Sequence, residues 1–315
     1  VIDAMFEVKY TGSEAKSTLN YLKEKKKIND NTDDYILKLY DKGYNKNTID
    51  YLIRNLNKSQ ITDFLDKKYS KDFEEYIKLD LFKYSKYNRY IKYQEKHKDL
   101  SLEDVVIRIE LNMDKTYYED SEFIKNPDEI TTLANKYYEI PEDYEPKDLV
   151  DMEDDYANNM YGTLTLRKEA YEKFKEMCNA SRKDGVKFYA ESAYRGYNYQ
   201  NIIYKNYIDE NGQEKADKYA ARPGFSEHEL GLALDLANIW TITTKGEEYK
   251  WLTKNAYKYG YIIRYKKEWE DITGYSAESW HIRYVGVKAA SVIQKENITY
   301  EEYYAKYILT KKSSK

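Results

Sequence analysis

Only four prolines occur in the 315 residues, and three of them, Pro127, Pro141 and Pro146, fall within one short span. Proline fixes φ and lacks an amide hydrogen, so a cluster of prolines marks a stretch that continues neither helix nor sheet. Asn126-Pro127, Ile140-Pro141-Glu142-Asp143 and Glu145-Pro146 therefore read as a linker. The length suits two units, and the chain divides into a mainly helical N-terminal module, 1–125, and a second domain, 126–315.

Before the linker, Ile2–Tyr10 alternates loosely as a short strand would, and Thr11-Gly12-Ser13 reads as a turn. From Ser13 to about His97 apolar residues recur at helical spacing, as in Tyr35, Ile36, Leu39 and Tyr40. Tyr44-Asn45-Lys46-Asn47-Thr48-Ile49 and Leu56-Asn57-Lys58-Ser59-Gln60-Ile61 form a weak repeat, each a turn whose Asn or Ser caps a short helix. Two copies are too few for a solenoid. Val105–Leu111 is rich in β-branched residues and fits strand or helix.

After the linker, Thr165–Ser181 reads as an amphipathic helix closed by Asp184-Gly185, and Val186–Ala193 alternates as a strand. Tyr197–Tyr219 is helical with a break at Glu210-Asn211-Gly212, Gly231–Ala237 is a strand and Glu247–Tyr259 a helix. Tyr261–Tyr265 and His281–Val285 are further strands. Antiparallel-looking strands mixed with helices define an α+β domain.

Charge and cysteine content exclude several functions. A net charge of −4 supplies no basic stripe for nucleic acid. The Lys23, Lys25, Lys26, Lys27 run is a solvated helix face. The single cysteine, Cys178, follows an apolar-periodic stretch and reads as a core residue; it rules out an internal disulfide and a thiolate zinc cluster. No apolar run spans a bilayer, and the chain begins at Val1 rather than Met, which leaves room for a preceding signal or membrane anchor.

Two of the three histidines sit among other polar groups, in Ser226-Glu227-His228-Glu229-Leu230-Gly231-Leu232-Ala233-Leu234-Asp235 and in Glu278-Ser279-Trp280-His281-Ile282-Arg283-Tyr284. On a strand from Gly231, Leu232, Leu234 and Leu236 share the core face, while Gly231, Ala233 and Asp235 share the other. If the two strands are neighbours, Asp235 meets His281. His228, Asp235 and His281 then make a three-ligand zinc set with the fourth position open for water, and Glu278 is placed to take that water's proton. A two-His, one-carboxylate set also suits non-haem iron, but there the first His and the carboxylate lie closer in sequence. His228-Glu229 opens no H-E-x-x-H motif, because position 232 is Leu.

These residues resemble the VanY-type D-alanyl-D-alanine carboxypeptidases, zinc peptidases that share the Hedgehog-like fold. The resemblance rests on Ser226-x-His228-x-x-Gly231-x-Ala233-x-Asp235 and Glu278-x-Trp280-His281. Ser192-Ala193-Tyr194-Arg195-Gly196-Tyr197 followed by Gln200, Ile272-Thr273-Gly274-Tyr275 and Arg283-Tyr284-Val285-Gly286 extend it. It covers about Asn135–Lys295, with a weaker match around Asn88-Arg89-Tyr90. It implies a small antiparallel sheet with flanking helices, Zn2+ held by His228, Asp235 and His281, and Glu278 as the base that activates the zinc-bound water. Arg195 would bind substrate and stabilise the oxyanion, while Gln200 and Ser226 would hydrogen-bond the peptide. The implied activity is removal of the C-terminal D-Ala from peptidoglycan stem peptides, outside the cell or in a Gram-positive envelope. The alternatives are L,D-carboxypeptidase or endopeptidase action, or a metal-containing wall-binding protein without turnover. Two positions depart from the family pattern: Ser279 replaces the usual Pro, and Glu229 replaces a frequent Gln and would add negative charge near the metal.

Overall fold

The computed structural model describes residues 1–237 and 242–310. The chain forms two compact units, Val1–Val106 and Ile107–Lys315, whereas the proline cluster had suggested a boundary at 125. Residues 122–123 already pair with the second unit, as a parallel strand against Tyr138–Glu139.

The first unit is built from short capped helices. Thr11 and Asn57 each form a capping box, with Glu14 and Gln60, and the Asn45 side chain accepts from the amides of Asn47 and Thr48. These caps satisfy amide donors that a helix start leaves open. Thr11 is therefore a cap rather than part of a turn, and both Asn-led repeats open helices, Lys46–Asn55 and Lys58–Leu65. Ile2–Glu7 is a helix, not a strand; Ala4, Met5 and Val8 are the buried positions, a spacing of helix rather than of alternation. Tyrosine does core work here. The rings of Tyr44, Tyr76 and Tyr90 are buried, and each hydroxyl keeps a partner: the Ser70 amide, the Gln94 side chain and the Lys83 amide respectively. The β-branched stretch Val105–Leu111, which fits strand or helix by sequence, falls, apart from its last residue, in the helix Leu102–Glu110.

The second unit is organised by an antiparallel sheet with strand order Ala190–Ser192, Ala233–Leu236, Glu278–Tyr284, Tyr261–Tyr265. Leu232, Leu234, Leu236, Ile282, Tyr284, Tyr261 and Ile263 line its core face. The helix Lys168–Lys183 covers that face with Ala170, Phe174, Met177 and Cys178, one stripe at helical spacing. Cys178 is fully buried, and burial pushes its thiol up to about 12, so it is inert packing. The opposite sheet face carries Asp235, His281, Arg283 and Arg264.

Several elements are shorter than their sequence pattern. Thr165–Arg167 is a strand paired with Leu149–Asp151, and the helix starts only at Lys168. Val186–Ala193 contributes three strand residues, with a register irregularity between Ala190 and Ser192. Gly231 is not strand: it closes the turn Glu227–Leu230 in the left-handed region, φ 63°. A Cβ there would lie 3.0 Å from both Arg167 Cγ and Leu149 Cδ2. Gly231→Ala is expected to cost about 2 kcal/mol, from backbone strain plus crowding; a urea denaturation midpoint equal to wild type would show that the turn relaxes freely.

Candidate metal centre

The turn Ser226–Gly231 and two paired strands bring the polar residues together. Ser226 caps the turn, its hydroxyl accepting the His228 amide at 3.3 Å, and Glu229 completes the capping box. The Glu229 carboxylate accepts the Gly224 amide at 2.9 Å and the Ser226 amide at 3.3 Å, and burial pushes it up to about 7. Its oxygens are thus spent on the loop, not presented as added charge on the metal side. Asp235 and His281 are direct partners across the antiparallel ladder, which brings their side chains to one face. The His281 strand begins at Glu278 rather than at His281, so the candidate base is held on the sheet itself. Ser279 uses its hydroxyl to bond the Ile242 carbonyl, an anchor that proline could not supply.

Ligand-ready lone pairs can be read from the hydrogen bonds. His228 Nδ1 lies 2.6 Å from the Ala193 carbonyl oxygen, which can only accept, so the ring proton sits on Nδ1. His228 Nε2 is buried and makes no hydrogen bond, although Asp235 Oδ2 is 3.3 Å away. An orphaned buried imidazole nitrogen costs free energy unless something else fills its lone pair. His281 Nε2 faces Glu227 Oε2 at 3.3 Å, and its Nδ1 faces Asp235 Oδ1 at 3.2 Å and Glu278 Oε2 at 3.5 Å. Ligand atoms of His228, Asp235 and His281 all lie within 4.8 Å of one another. Tetrahedral zinc with bonds of about 2.0–2.1 Å needs ligand separations of about 3.3 Å; the contacts to Asp235 are of that order, one to each carboxylate oxygen, and two imidazoles with a carboxylate are a donor set that fits a divalent cation.

The electrostatics of the three donors differ: burial opposes a charge on His281, but its contacts with Asp235 and Glu227 push it up to about 9, so an incoming cation displaces a proton from that ring. Burial, then the nearby Arg195, push His228 down, which keeps the imidazole neutral. Burial opposes the Asp235 charge, but the His228 and His281 imidazoles and Arg195 hold its carboxyl well below the usual range. Burial pushes Glu278 up to about 7, against the pull of His281. That value suits a group that must both take and return a proton near neutral pH.

The site opens into a cleft of about 350 Å³ lined by, among others, Arg195, Gln200, Ser226, Tyr207, Glu278 and Trp280. Arg195 donates from Nη1 to Asp235 Oδ2 at 3.1 Å and to Ser192 Oγ at 2.7 Å. Gln200 is buried; its Oε1 accepts Arg195 Nε at 3.0 Å and its Nε2 donates to the Ala221 carbonyl. Gln200 therefore aims the guanidinium.

Glu227 was not singled out from sequence, yet it contacts His281 directly. Its side chain is fully buried, and Arg264 Nε at 2.8 Å and Arg283 Nη1 at 3.1 Å both bind Oε1. Burial works against its charge, but the two guanidiniums keep it ionised. The available signal was an arginine on each of two apolar strands, Ile262-Ile263-Arg264-Tyr265 and Ile282-Arg283-Tyr284; a buried cation requires an acid.

A sheet face with three converging ligand atoms and an adjacent buried carboxylate describes a metallopeptidase-type site, and the comparisons agree. A family model described as VanY, D-alanyl-D-alanine carboxypeptidase, matches residues 163–287. YodJ of Bacillus subtilis (strain 168) is 42% identical over 211 residues, 62% of this chain and 77% of YodJ. The solved structure of the LdcB LD-carboxypeptidase superposes with a TM-score of 0.56 at 42% identity, covering 61% of this chain and 92% of that one. VanYB in complex with D-alanine-D-alanine gives 0.50 at 31%, covering 56% and 98%. The chain belongs to the VanY family of D-alanyl-D-alanine carboxypeptidases and is a peptidase of that family.

Arg264→Leu should cost about 3–5 kcal/mol, because it strips a counter-ion from buried carboxylates instead of removing a whole ion pair. Equilibrium denaturation measures this; a loss below about 1 kcal/mol would mean that the acids find other partners.

Proposed function

We propose that the chain is a zinc carboxypeptidase that removes the terminal D-Ala from peptidoglycan stem peptides. The observation that carries this reading is the convergence of His228 Nε2, Asp235 and His281 Nδ1 beside Glu278, with Arg195 in the same cleft. His228, Asp235 and His281 would hold the ion. Zinc bound there supplies a Lewis acid and lowers the pKa of water into the neutral range. Glu278 takes the proton of the attacking water and returns it to the leaving amine, a double duty that its position near neutrality allows. Arg195 offers a fixed cation to the developing oxyanion or to the free C-terminal carboxylate. Gln200 keeps the guanidinium aimed, and Ser226 holds the turn that presents His228. Tyr207, Tyr275 and Trp280 give the cleft an apolar wall for the small side chain of alanine. The family description and the D-alanine-D-alanine bound to VanYB support this substrate.

A second reading, L,D-carboxypeptidase action on the shortened stem, is favoured by the likeness to LdcB, which exceeds the likeness to VanYB in both identity and TM-score. On either reading the protein would act outside the cell or in the envelope, where stem peptides are met. Among the described residues no helix is long and apolar enough to cross a membrane.

Mass spectrometry of pentapeptide and tetrapeptide stems, with and without chelator, tests both readings. Loss of one residue from the pentapeptide alone supports D,D action, loss from the tetrapeptide alone supports L,D action, and no chelator-sensitive loss from either would sink the proposal. Glu278→Ala should retain zinc while kcat falls by about 10²–10⁴-fold; zinc content and rate measured together separate a lost base from a lost ion.

A further inference from the structure

We propose that Glu301, on the short C-terminal helix Tyr300–Tyr303, is a positioning residue for the metal centre: it neutralises Arg264 so that Glu227 keeps one carboxylate oxygen for His281. This rests on His281 being a zinc ligand, as read above.

The geometry forms a chain of contacts. Arg264 gives its two terminal nitrogens to Glu301, Nη1 to Oε2 at 2.9 Å and Nη2 to Oε1 at 2.6 Å. Its remaining donor, Nε, goes to Glu227 Oε1 at 2.8 Å. Arg283 binds the same oxygen through Nη1, and its other nitrogens are taken by the carbonyls of Tyr284, Ile130 and Thr132. Glu227 Oε2 is left to accept from His281 Nε2. All four charged side chains are at most 1% exposed. Two carboxylates and two guanidiniums balance, so the cluster behind His281 carries no net charge.

Removing the Glu301 charge has two consequences, both adverse to metal binding. With Gln in its place the terminal nitrogens of Arg264 keep one oxygen and face an NH2 donor where the other stood, and the nearest remaining carboxylate is Glu227, whose Oε2 they would compete for. The cluster also acquires a net positive charge one hydrogen bond away from a site that must hold a dication, where screening by water is weak. A ligand histidine whose outer nitrogen loses its acceptor becomes a poorer and less well oriented donor. Glu301 lies beyond the segment matched by the family model, which ends at 287.

The test is zinc affinity by chelator competition for the full chain and for Glu301→Gln, Glu301→Asp and Glu302→Gln. Glu302 belongs to the capping box of the same helix and contacts neither arginine among the described hydrogen bonds, so its variant loosens the helix without touching the relay. Glu301→Gln should weaken zinc binding by about 10- to 100-fold while Glu301→Asp and Glu302→Gln stay within about threefold of wild type. The second readout is ¹H–¹⁵N NMR of the zinc-loaded protein: wild type should show a His281 ring proton on Nε2 in slow exchange, and Glu301→Gln should shift that proton or speed its exchange. Equal losses in Glu301→Gln and Glu302→Gln, or an unchanged affinity in a folded Glu301→Gln, would overturn the proposal. Should Glu301→Gln fail to fold, the absence of an Nε2 proton on His281 in zinc-loaded wild type would overturn it instead. A wild-type chain that binds no zinc removes the metal reading and this proposal with it, whereas zinc binding without peptide cleavage removes only the substrate.

Discussion

The catalytic half of the chain depends on one register: Asp235 directly opposite His281 on adjacent antiparallel strands. Side chains alternate along a strand, so this pairing fixes which face each neighbour occupies. A slip of one residue would place Leu234 or Leu236 opposite His281 and turn Asp235 into the apolar core. The core itself resists that slip, since Leu232, Leu234, Leu236, Ile282 and Tyr284 all pack on the opposite side. The hydrophobic pattern that folds the sheet is therefore the same pattern that assembles the site. Gly231 adds the reversal that brings His228 back towards Asp235 from outside the strand.

The polar face shows how charge can be buried without being wasted. Each ionisable group there has a specified neighbour: Asp235 has Arg195 and both imidazoles, and Glu227 has two arginines and His281. Among the carboxylates of that face, burial raises Glu278 to about 7 against the pull of His281 and Arg195, whereas the neighbours of Asp235 and Glu227 hold those two down. A carboxylate poised near neutrality beside two that stay ionised is an arrangement suited to proton transfer.

Much of this was legible in the sequence, for physical reasons that can be named. Alternation pointed to a strand over Gly231–Ala237, of which Ala233–Leu236 is strand, the strand Tyr261–Tyr265 was read with its full bounds, and an Asp on the small-residue face marked the site. Asn45 and Asn57 announced their helices through capping chemistry. Short or mixed segments misled, because a few apolar residues satisfy both periods: Ile2–Glu7 alternates on paper and coils in fact. The Thr165–Arg167 strand was hidden because its pairing partner, Leu149–Asp151, lies across the intervening loop. The partners of His281 and His228 were also hidden. Glu227 and the Ala193 carbonyl reach them only through tertiary structure, and no local spacing encodes that contact.

Glu301 also bears on where this enzyme ends. A motif is bounded by the residues proposed to hold the ion and meet the substrate, and the last of those is His281. A folding unit is bounded by its last obligatory counter-charge, which here sits on a later helix. A chain cut after the motif would retain every proposed ligand and leave two buried guanidiniums sharing the single carboxylate of Glu227. On the proposed reading the helix Tyr300–Tyr303 belongs to the electrostatics of the metal centre, and any transplant of this domain into another protein has to carry it along.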